Sequence, residues 1–186
     1  MGMYGTLCRI SERQLARITA SPERVASLLS HDGPVRSKPW RILRLEKAWD
    51  VLDKGINVGS PDGPLLDAIH GAHGVKIGPS LSYGRARYLT PLQVRATAIA
   101  LRAFPEATFS ERWRSGALAS AYVFGPTTGP QTPAQGATPY DDLLAELAMP
   151  GDEEDPLEEV LEQLRALVRF YGRAERRGDG MIMAVM

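Results

Sequence analysis

Asp67, His70 and His73 are the residues of this chain whose types and spacing could do chemistry, since no other stretch sets a carboxylate beside two imidazoles. Asp67 and His70 are three residues apart and share a face if the segment is helical. The carboxylate could then orient His70 as a general base, or the two could hold a metal ion. His73 is expected to fall off that face, because Gly71 and Gly74 end the helix first, and a histidine in a last turn is also favoured simply by the helix dipole. Arg85 and Arg87 offer the complementary chemistry. Two apart in extended structure, they project to one side just before a helix N-terminus with exposed N–H groups, an arrangement suited to a phosphate or a carboxylate. The plainer alternative is that they neutralise carboxylates such as Asp67 or Asp50 inside the fold.

These side chains need elements to position them. The clearest is RLEKAWDVLDKGI, Arg44 to Ile56, where Leu45, Ala48, Trp49, Leu52 and Ile56 form one apolar stripe at helical pitch. Its other face carries Glu46, Lys47, Asp50, Asp53 and Lys54, with Asp50 and Lys54 at ion-pair spacing. Trp49 is read as a packing residue first, with Lys47 and Asp50 bordering any site the fold builds beside it. Asp62 is expected to cap a short helix from Pro64 to Gly71. Thr90, Pro91 and Gln93 give a cap, a first-position proline and a capping-box partner for the helix after Arg87, Tyr88 and Leu89, which suit a strand.

The rest of the chain alternates in kind. Met1 to Ile10 reads as a strand, followed by a helix capped by Ser11 with Gln14, and by a second helix opened at Ser21 and Pro22 with Val25, Leu28 and Leu29 on its buried side. A further helix is expected over 109–124, with Phe109, Trp113, Leu118 and Val123 in the core and Gly116 as a close-packing point. Residues 125–139 are eleven Gly, Pro or Thr in fifteen, with no charge and no hydrophobic period, and read as a surface loop. Tyr140 to Ala148 reads as a short helix. Leu157, Val160, Leu161, Leu164, Leu167, Val168 and Tyr171 give the longest helical pattern, with acids at its start and Arg165, Arg169, Arg173, Arg176 and Arg177 toward its end. Arg165, Arg169 and Arg173 line up on one face at four-residue spacing, and this row is read as a solvated face, relieved if something anionic meets it. Met181 to Val185 is wholly apolar and reads as a buried strand paired with the N-terminal one.

Composition narrows the function classes. The 186 residues carry 22 Lys+Arg and 22 Asp+Glu. The charge is uneven: residues 1–125 hold 17 basic and 10 acidic side chains (17 − 10 = +7), and residues 126–186 hold 5 and 12 (5 − 12 = −7). Without a recognition motif that basic excess does not carry a nucleic-acid function. The single Cys8 excludes an intramolecular disulfide and offers no zinc cluster, and no apolar run approaches a membrane span, so a cytoplasmic location is expected and no cofactor or metal.

Five blocks in order, MGMYG, LEKAWDVL (45–52), PLLDAIHG (64–71), YGRARYLTPLQV (83–94) and LRALVRFYGRAERRGDGMIMAV (164–185), resemble the YfbM-like family of bacterial proteins, a domain of unknown function. The resemblance implies one α+β domain over 1–186, several amphipathic helices packed on a small sheet that includes the N- and C-terminal strands. It supplies no activity, cofactor or catalytic residue. Family members tend to show an Ile-Tyr-Pro turn where this chain has Val123, Phe124, Gly125 and Pro126, and the Thr/Pro/Gly loop reads as an insertion. Two functions follow as expectations. One is a binding or protein-interaction module that meets a protein partner or an anionic small ligand through Trp49, Lys47, Asp50, Arg85 and Arg87. The other is a small enzyme with His70 as acid/base, Asp67 orienting it, and Arg85 and Arg87 clamping an anionic substrate. The absence of a nucleophile elbow, a phosphate loop and zinc-type spacing favours the first.

Overall fold

The strand β1 (Gly5–Ile10) is buried at all of its positions, Arg9 included, because helices cover both faces of the sheet it belongs to. The computed structural model describes residues 4–29, 39–45, 48–58, 62–81, 84–118 and 156–186. In that part the chain is α+β. Its sheet has five antiparallel strands, β1, β2 (Ile42–Arg44), β3 (Val75–Leu81), β4 (Gly84–Leu89) and β5 (Gly180–Val185), in the order β2-β1-β5-β4-β3. β1 and β5 lie at the centre, in register from Gly5 opposite Val185 to Ile10 opposite Gly180. That pairing places the apolar MIMAV segment beside the N-terminal strand, as its composition predicts.

Alternation along these strands divides the core in two. Leu7, Leu89, Met181 and Met183 point to the larger cluster, which is built with α3 (Trp49–Asn57), α4 (Pro91–Ala103), α5 (Glu106–Arg114) and α6 (Pro156–Arg177). Cys8, Ile10, Ala86 and Ile182 point to the smaller one, closed by α1 (Glu12–Ala20) and α2 (Arg24–Leu29). The amphipathic stripes land as their spacing demands: Leu157, Val160, Leu161, Leu164, Leu167 and Tyr171 are all buried on α6, and Leu45, Ala48, Trp49, Leu52 and Ile56 are buried around α3. Both capping boxes form, Ser11 with Gln14 and Thr90 with Gln93.

Several elements differ from the sequence reading. Arg44 belongs to β2, so the helix expected from there starts only at Trp49, with Leu45 reaching the same core from the connection. The helix expected from Pro64 to Gly71 is a single 3-10 turn, Pro64–Asp67, with Gly63 rather than a side chain at its start. Helix α5 stops at Arg114, because Gly116 turns the chain in the left-handed region at φ 72°, where a Cβ would meet open space; it is a turn residue and not a packing point. α2 begins at Arg24, two residues after the proline meant to open it. Val123, the 125–139 loop, the Tyr140–Ala148 helix, the acidic run before α6 and Lys47 lie outside the described residues.

Candidate functional site

Asp67 ends the 3-10 turn and is buried, and its carboxylate turns toward His73. Oδ1 accepts the His73 backbone N–H at 2.8 Å and lies 3.3 Å from Nδ1 of the same residue. His70 does not face Asp67. Its Nε2 sits 3.6 Å from Oδ2 of Asp53 on α3, and its ring packs edge-on against Trp49, with 5.3 Å between centroids and 88° between planes. The acid/histidine pairs are therefore Asp67 with His73 and Asp53 with His70, because the 3-10 turn ends at Asp67 and residue 70, beyond it, is not held at helical spacing over residue 67.

The turn that carries these residues is fastened from three elements. The Tyr171 hydroxyl on α6 lies 2.9 Å from the Asp67 carbonyl and 3.0 Å from that of Ala68, Thr97 on α4 donates to the Pro64 carbonyl, and Gln93 donates to the His73 carbonyl at 3.0 Å. Arg87 joins this fastening, with Nη1 donating to the Ala72 carbonyl at 2.9 Å and reaching that of Gly74 at 3.4 Å. Arg85 donates through Nε to the Gly78 carbonyl at 2.8 Å, inside the bulge that interrupts the β3–β4 register. Both arginines thus spend donors on backbone carbonyls. Trp49 and Asp50 are buried, and Asp50 holds Lys54 at 3.1 Å.

Burial raises the pKa of both α3 carboxylates above their ordinary value of 3.8; Lys54 pulls Asp50 back, and His70 pulls back Asp53. The folded protein consequently holds protons here at a pH where the unfolded chain has released them, so stability falls as pH rises through the interval between 3.8 and the raised values. Asp50→Asn is expected to gain stability relative to the parent above that interval and to lose the advantage below it. Urea unfolding of both proteins between about pH 3 and about pH 7 measures this, and a pH-independent difference would refute it.

A second group, which the sequence reading did not assemble, surrounds Trp40. Arg9 enters from β1 almost fully buried, 1% exposed, with its guanidinium 5.4 Å from the Trp40 ring centre and 5.3 Å from that of Phe170. Nη2 donates to the Trp40 carbonyl at 2.8 Å, while Nε and Nη1 are buried with no hydrogen-bond partner among the described residues. Arg41 and Arg177 stand 4.9 and 5.0 Å from the same Trp40 ring. Arg9, Trp40, Arg173, Arg176 and Arg177 line a cavity of about 350 Å³. Burial lowers the pKa of Arg9 from its ordinary value, and Asp179, itself buried, pushes it back up. A signal for this site was present in the sequence: a lone arginine in the otherwise uncharged GTLCRI strand needs something to meet its charge.

Other chemistry is narrower. Burial pushes the Cys8 thiol up to about 12, which keeps it protonated and unreactive at neutral pH. Among the described residues no group of three or more His, Cys, Asp or Glu side chains is placed to hold a metal ion, and no helix is long and apolar enough to cross a membrane.

A family model described as a domain of unknown function, DUF1877, matches residues 1–132. The chain belongs to the DUF1877 family. The fold of this DUF1877 member is similar to that of YfbM from Escherichia coli, a solved protein of unknown function, with a TM-score of 0.63 at 16% identity over 98% of this chain and 99% of that one. A comparison with curated proteins gives no match. At that identity the likeness speaks for the fold of the DUF1877 member alone, and its function has to be argued from its own side chains.

Proposed function

We propose that this DUF1877 member is a cytoplasmic bacterial binding module for an anionic small ligand, seated at the Arg9–Trp40–Arg173–Arg176–Arg177 cavity and not at the face first expected to carry it. One observation supports the reading above all. Arginines from β1 and α6 converge on one cavity, and among the described residues none of Arg9, Arg173, Arg176 and Arg177 has a carboxylate within salt-bridge distance. Elsewhere on the surface, opposite charges do meet: Arg165 binds Glu106 at 2.8 Å and Arg102 binds Glu175 at 2.5 Å. Arginine suits such a site because its planar N–H array matches oxyanions and its charge persists. At the face first expected, Arg85 and Arg87 are engaged with carbonyls and Trp49 and Asp50 are buried, which leaves little there to meet a ligand.

The test is calorimetric titration with inorganic phosphate at constant ionic strength. Saturable binding is expected, weakened about tenfold or more in Arg176→Gln/Arg177→Gln, since each charge-assisted hydrogen bond is worth roughly 1.5–3 kcal/mol. Trp40 is 41% exposed, so its fluorescence offers an independent readout. Binding that the double variant leaves unchanged would place the ligand elsewhere.

A further inference from the structure

We infer, resting on the anion-module reading above, that the ligand presents a pyrophosphate group, two linked phosphoryl units, and that the cavity reads this group and not what is attached to it. Charge is the first reason. Arg9, Arg173, Arg176 and Arg177 line the cavity, Arg41 adds a fifth cation beside the Trp40 ring, and among the described residues Asp179 is a carboxylate felt by Arg9 and Glu175 one felt by Arg176, so the local balance is 5 − 2 = +3. A single phosphoryl group brings only about −1.5 to −2 at neutral pH. Two linked units match the cluster far better.

The state of Trp40 is the second reason. An exposed tryptophan in a basic cavity invites a stacked base, yet three guanidinium centres already lie 4.9, 5.0 and 5.4 Å from this ring. The ring acts as a platform that gathers arginines through cation–π attraction. A base would have to displace one of them.

The arrangement along the chain is the third reason. Arg173, Arg176 and Arg177 stand at i, i+3 and i+4 near the end of α6, while Arg9 arrives from β1, so oxyanions can be met from two separate elements. Arginines at a helix C-terminus are favoured by the macrodipole, by roughly 0.3–1 kcal/mol each. That preference explains their presence near Arg177, but it does not require three of them to line one cavity with a buried fourth.

Titration of the full chain at matched ionic strength with orthophosphate, pyrophosphate, ADP and citrate tests the inference. Pyrophosphate is expected to bind at least about tenfold more tightly than orthophosphate or citrate, a difference of one decade in Kd. ADP equal to pyrophosphate supports a pyrophosphate group from either source, and ADP weaker than pyrophosphate identifies the free inorganic ion. ADP tighter by about tenfold would show that the base is read, and would overturn the inference. Orthophosphate or citrate matching pyrophosphate would overturn it too, while leaving the anion module intact; no binding by any of the four would overturn both. Arg176→Gln/Arg177→Gln and, separately, Arg173→Gln should lose most of the pyrophosphate affinity with thermal unfolding little changed, since all three side chains are exposed. Arg102→Gln, whose side chain is engaged by Glu175 away from the cavity lining, should bind like the parent. Retained affinity in both cavity variants would remove the site from this cavity.

Discussion

Replacing Trp49 by alanine is expected to lower the unfolding free energy by about 3–5 kcal/mol, the range for truncating a buried aromatic side chain. Trp49 is 3% exposed, at the start of α3, and belongs to the larger of the two apolar clusters. β1 crosses it so closely that a Cβ built on Gly5 would stand 2.9 Å from the Trp49 Cβ. The change would also strip the edge-on contact from His70, at 5.3 Å, and with it a restraint on the His70–Asp53 pair. Against a total stability of roughly 5–15 kcal/mol for a domain, that loss is about a fifth at the least and the whole of it at the most. Urea denaturation of Trp49→Ala and Trp49→Phe measures it, with an unchanged m-value expected and a smaller loss for the variant that keeps a ring. A loss under about 1 kcal/mol for alanine would show that this residue does not hold the core.

Which parts were legible from sequence follows from the range of the forces involved. The apolar stripes of α3 and α6, the Thr90–Gln93 and Ser11–Gln14 caps and the buried β5 segment are short-range patterns, and each appears where its spacing puts it. β3 went unread because Gly78 and Pro79 break the alternation of VKIGPSL; the bulge that accommodates them, with Gly78 at φ 74°, is specified by pairing with β4. The candidate site was less legible still. Spacing grouped Asp67 with His70, whereas the contact that decides is between His70 and Asp53, seventeen residues away on another element. Asp50 lies on the face opposite the apolar stripe, and it is buried because α3 is covered on more than that stripe. Arg9 and Arg177 lie at opposite ends of the chain, and only the adjacency of β1 with β5, which follows α6 directly, brings them to the same ring.

Gly55→Ala on α3 and Gly172→Ala on α6 are expected to change stability in opposite directions, although both exchange a helical glycine for the best helix former. Alanine is favoured over glycine inside a helix by about 1 kcal/mol, and that gain is available at both positions. At Gly172 the new Cβ meets only the tip of Arg176, at 3.6 Å, ordinary van der Waals contact, so a gain of up to about 1 kcal/mol is expected. At Gly55 it would stand 2.1, 2.7 and 2.8 Å from three ring carbons of Phe109, which is fully buried. Helix α5 is held against this point by Arg112, whose Nη1 donates to the Gly55 carbonyl at 2.6 Å and to that of Ile56 at 3.2 Å, so the ring cannot withdraw without moving the helix. Overpacking of this kind costs about 1–3 kcal/mol, occasionally more, which outweighs the propensity gain and leaves a net loss. The cause can be isolated in a Phe109→Leu background: if the clash with the ring is responsible, the two substitutions will be non-additive, with a coupling of about 0.5–3 kcal/mol that reduces the cost of Gly55→Ala. Equal penalties in both backgrounds would place the origin in the backbone of α3 and not in the ring that faces it.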